Sequence, residues 1–87
     1  MKGALNVTEE LRVAVGHRVK ERRLACRLTR DRLASSANPH ISDKYLWEIE
    51  TGKKSMSADI LRRLAIALDV TSDWLLGLPE RDKDDDE

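Results

Sequence analysis

Thr29–Gly52, TRDRLASSANPHISDKYLWEIETG, decides the fold. Thr29 offers a capping hydroxyl ahead of Arg30, Asp31, Arg32, Leu33 and Ala34, a short helix that Asn38-Pro39 must end, because the residue before a proline avoids the α region. Ser42 repeats the capping signal, Asp43 stands in the first turn where a carboxylate complements the helix dipole, and Gly52 sits where a left-handed C-terminal residue belongs. The spacing predicts a two-turn helix and a second helix over Asp43 to Thr51, joined by a brief turn. On the second, Leu46 and Ile49 share an apolar edge, whereas Asp43, Lys44, Trp47, Glu48 and Thr51 recur at the spacing of the opposite face.

On the N-terminal side, Leu11, Val15, Val19 and Leu24 alternate with Arg12, Arg18, Lys20 and Arg22, which predicts an amphipathic helix from about Thr8 to Cys26. On the C-terminal side, Ser57 caps a stripe of Ile60, Leu61, Leu64, Ala65 and Leu68. Thr71 then caps a last short helix, Ser72 to Leu76, closed by Gly77 and Pro79, with Trp74 expected to anchor it to the core. Five short helices without a strand signal give an all-α orthogonal bundle: a flexible lead over residues 1–7, one domain over residues 8–78, and a disordered acidic tail over residues 79–87.

Composition agrees with packed helices. Aromatic residues make up 3%, Phe is absent and 37% of residues are charged, so the core must come from Leu, Ile, Val and Ala. The formal net charge of zero conceals a segregation. Residues 1–78 carry 14 Lys and Arg against 10 Asp and Glu, net +4, and residues 79–87 carry 2 against 6, net −4. The single Cys26 excludes an internal disulfide, and with neither an apolar leader nor a spanning run the protein is expected in the reducing cytoplasm. His17 and His40 stand apart from any ligand cluster, and no nucleophile with a base or phosphate-binding Gly loop is present; the expectation is no metal, no cofactor and no catalysis.

A helix presented on such a scaffold fits the major groove, about 12 Å wide, while its predecessor crosses the backbone. The blocks RVKERRL (18–24), LTRDRLA (28–34), SDKYLWEIETGK (42–53), LAIALDV (64–70) and DWLLG (73–77) resemble, in order, those of Cro/C1-type (Xre) helix-turn-helix regulators, including lambdoid phage repressors. The resemblance covers about residues 11–77. It implies a lambda-repressor-like five-helix bundle that binds double-stranded DNA, as a repressor and as a homodimer at least on DNA.

By that resemblance Ser42, Asp43, Lys44 and Glu48 fall on base-reading positions. Thr51, Lys53 and Lys54 fall on backbone-contacting positions, and Arg30 replaces a glutamine that grips a phosphate and braces the recognition helix. Arginine can hold a phosphate more strongly. Thr29 and Tyr45 join the backbone set, Tyr45 with its hydroxyl toward a phosphate. Trp47 either packs under the turn against Pro39 or reaches toward a thymine methyl. Arg23 and Glu50 match an ion pair that ties the first helix to the third. Two features depart from the common pattern: two additional residues, placed in the turn at Ala37 to Ile41, and carboxylates at two base-reading positions, which can accept from cytosine N4. The acidic reading face and tail also suit a different class, a protein-interaction module such as an antitoxin.

Overall fold

The computed structural model describes residues 2–79, with side chains from residue 9 onward. Its elements are α1 (Lys2–Ala25), α2 (Arg30–Ser36), α3 (Asp43–Glu50), α4 (Ala58–Leu68) and α5 (Ser72–Leu76), with no strand among the described residues. The all-α five-helix class read from the sequence is the fold observed. α1 begins at Lys2, six residues before the expected Thr8 start and within the stretch read as a lead. The acidic tail from Glu80 onward lies outside the described residues.

Helix starts follow the capping hydroxyls. Thr29, Ser42, Ser57 and Thr71 each hold extended backbone and accept a hydrogen bond from the backbone N–H three residues on. Helix ends follow a second rule. After α1, α3, α4 and α5 the chain enters the left-handed region at Arg27, Gly52, Asp69 and Gly77, and paired backbone bonds close each helix as a Schellman turn. Gly52 and Gly77 carry that conformation without strain. At Asp69, with φ of 58°, a Cβ crowds the backbone and an acidic residue stands at the negative end of α4. Asp69→Gly is therefore expected to stabilise the domain by about 0.5 to 1 kcal/mol, read as a higher Tm in thermal unfolding.

The core gathers Val15 and Val19 from α1, Leu33 and Ala34 from α2, Leu46 and Ile49 from α3, Leu64, Ala65 and Leu68 from α4, and Leu75 from α5. Two sequence expectations are corrected here. Leu24 is 56% exposed, since on a 3.6-residue helix it points about 180° from Val15, and Leu11, 44% exposed, edges a surface hollow beside Met56, Leu61 and Leu76. α5 is anchored by Leu75, which is fully buried, and Trp74 stays 36% exposed.

α1 is the central brace, and its cations are internal fasteners. Arg12 Nε donates to Gly52 O at 2.8 Å and Arg22 Nε to Leu68 O at 3.0 Å, which places positive charge at the carbonyl-rich ends of α3 and α4. The Arg18 guanidinium lies against Gly77 at the end of α5. Gly16 lets the brace approach closely: a Cβ there would stand 2.0 Å from the backbone oxygen of Ile49.

Candidate nucleic-acid interface

The α2–α3 turn is tied at both ends and open in the middle. Ala37 and Ile41 are buried, Ile41 N donates to Ala34 O at 3.1 Å, and Asn38, Pro39 and His40 project outward. Arg63 of α4 reaches Pro39 O at 3.5 Å. The connection is held by two apolar anchors and loops outward between them. It does not roof α3.

α3 turns Leu46 and Ile49 inward, at 0% and 1% exposure, and its opposite face carries Asp43, Lys44, Trp47 and Thr51 in the open. Exposed Ser42 precedes them as the cap, its Oγ accepting from Tyr45 N at 3.0 Å. Lys44 has no ion-pair partner among the described residues. Arg30, in the first turn of α2, lies beside Asp43: its Nε is 3.2 Å from Asp43 Oδ1, with both side chains partly exposed. Thr29 is exposed and holds the start of α2.

Glu48 stands back from the open row. Its side chain is 16% exposed and faces Lys54 Nζ at 3.4 Å. The Lys53 ammonium sits 5.1 Å from the centre of the Trp47 ring, a cation–π distance. Trp47 is 37% exposed on the outer face. Tyr45 is half-buried, its hydroxyl donating to Ser55 O at 3.4 Å, and Thr51 donates back to Trp47 O at 2.8 Å.

Arg23 and Glu50 fix the helix from behind. Arg23 Nε and Nη2 donate to the two carboxylate oxygens of Glu50 at 2.7 and 3.2 Å, and Nη1 donates to Leu28 O at 2.8 Å. Both residues are under 10% exposed. No buried side-chain polar atom among the described residues lacks a partner, so this charge pair is fully accommodated.

Sequence reasoning did not single out Gly16, Arg12 or Arg22 for these roles. The apolar–polar pattern marks such arginines as a solvated face; only the approach of α1 to the ends of α3 and α4 turns them into caps. Among the described residues no group of three or more His, Cys, Asp or Glu could hold a metal, and no helix is long and apolar enough to cross a membrane.

A two-helix unit with an outward, polar second helix braced by a third defines a helix-turn-helix domain. Comparison agrees: the helix-turn-helix domain family matches residues 14–76. The crystal structure of the clp gene regulator ClgR from C. glutamicum superposes with a TM-score of 0.70 at 30% identity, covering 76% of this chain and 83% of that one. The search of curated proteins finds no match. The chain belongs to the helix-turn-helix domain family, as one of its Cro/C1-type regulators.

Proposed function

We propose that this protein is a sequence-specific, double-stranded DNA-binding transcription regulator that reads the major groove with α3 and acts as a repressor by occupying its site as a homodimer in the cytoplasm. The observation that carries the reading is the open row of Ser42, Asp43, Lys44 and Trp47 on a short helix whose other face is locked into the core. Thr29, Arg30, Tyr45, Thr51, Lys53 and Lys54 flank that row and serve as phosphate contacts. The role of the structural neighbour ClgR as a gene regulator supports the same class. For a homodimer, Ile66 of α4, Trp74 of α5 and Leu78 just beyond α5 are exposed apolar side chains away from the reading helix. Two copies would then read half-sites about 34 Å apart.

Selection of genomic fragments is expected to return a site of two-fold or repeat character, bound less tightly as salt rises. Lys44→Ala should change the preferred sequence, whereas Lys53→Ala should weaken binding on all sequences and lower the salt slope by about 1. Unchanged binding by both variants would overturn the assignment of this face. Recovery of one stoichiometric protein partner, without any DNA shift at low salt, would favour the interaction-module reading.

A further inference from the structure

The two carboxylates on the proposed reading face are held differently. Glu48 is largely covered and faces Lys54, while Asp43 is 46% exposed and meets Arg30 through Oδ1 only, within hydrogen-bond distance of Nε. Among the described residues Oδ2 of Asp43 has no hydrogen-bond partner. An unaccompanied carboxylate among phosphates weakens binding, but here a guanidinium from α2 offsets the charge. Its two terminal NH₂ groups have no partner among the described residues and remain able to meet a phosphate.

From this asymmetry, and resting on the major-groove reading above, we infer that Asp43 is the specificity-determining acceptor of this protein and selects cytosine, with Arg30 as its positioning residue and Glu48 excluded from base reading. The chemistry of the groove supports the choice. An ionised carboxylate only accepts; cytosine presents the N4 amino donor, guanine presents two acceptors, thymine presents an acceptor and a methyl, and adenine sets an acceptor beside its donor. The free oxygen of Asp43 therefore meets an unopposed donor only on cytosine.

Binding-site selection from a randomised duplex library, run on the whole chain, tests this. The wild type should fix cytosine at one position of each half-site. Asp43→Asn, whose amide can pair with adenine N6 and N7, should shift that position toward adenine and lose roughly 5- to 150-fold on the wild-type site, with the other positions unchanged. Glu48→Gln should return the wild-type profile. Arg30→Gln, which leaves the Asp43 carboxylate but removes its brace, should weaken binding and blur discrimination at the same position. A defined wild-type site retained by Asp43→Asn, or altered by Glu48→Gln, overturns the inference and leaves the major-groove reading standing. Selection of no sequence by the wild type removes both.

Discussion

Replacing Gly16 by valine is expected to abolish the stable fold, and replacing it by alanine to lower stability by about 2 kcal/mol or more. Two effects of opposite sign meet at this position. Alanine is favoured over glycine in a helix interior by about 1 kcal/mol, so on an isolated α1 the change would stabilise. In the folded domain the added Cβ would lie 2.0 Å from Ile49 O and 3.1 Å from Ile49 C, and both are backbone atoms that cannot rotate aside. α1 must retreat from α3, and with it Val15 and Val19, whose burial joins the two helices in one core. Overpacking of this kind typically costs about 1 to 3 kcal/mol, and more where the backbone cannot yield, so the clash outweighs propensity. Thermal unfolding followed by circular dichroism checks the order: wild type above Gly16→Ala, with Gly16→Val lacking a cooperative transition. An alanine variant more stable than wild type would contradict the close approach.

The second large effect falls on the buried ion pair. Arg23→Met should destabilise by about 3 to 5 kcal/mol, a large part of the roughly 5 to 15 kcal/mol that holds a small domain. The loss comes less from the missing attraction than from the Glu50 carboxylate left behind, whose side chain is 2% exposed and whose two donors among the described residues both belong to Arg23. The double variant Arg23→Met with Glu50→Leu distinguishes the causes. It removes the stranded charge and should regain most of the lost stability in chemical denaturation, while the single variant stays low. Equal losses in both would show that the pair's geometry, not an uncompensated charge, sets the cost. Because Glu50 closes α3, the surviving double variant also reports whether the pair fixes the angle of that helix.

What could be read beforehand divides along physical lines. The starts of α2 to α5 were legible because a capping hydroxyl acts on a backbone N–H three residues away, a wholly local event. Gly52 and Gly77 were legible for the same reason, as residues permitted positive φ. Arg27 and Asp69 adopt the same conformation without any such permission, under the geometry of the helices they end. Periodicity alone assigned Leu24 to the core, though the buried side of α1 is centred on Gly16, Val19 and Arg23, a face whose glycine and arginine carry no apolar signal. Trp74 is the expected anchor of α5, yet Leu75 is the fully buried residue of that helix, which packs on α1 and α4. On the candidate interface, the open row of α3 followed from its spacing, while the unequal holding of Asp43 by Arg30 and Glu48 by Lys54 depends on partners 13 residues back on α2 and six residues ahead in a loop. Sequence spacing orders side chains along one helix; it does not say which of them a neighbour has engaged.

The most direct test of α3 as the DNA-reading element is an amide chemical-shift titration of the whole chain with a selected duplex. The largest changes should fall at Ser42, Asp43, Lys44 and Trp47, with Thr29, Arg30, Lys53 and Lys54 close behind, and should shrink at high salt. Changes concentrated on α4 and α5 around Ile66 and Trp74, with residues 42–47 unmoved, would contradict it.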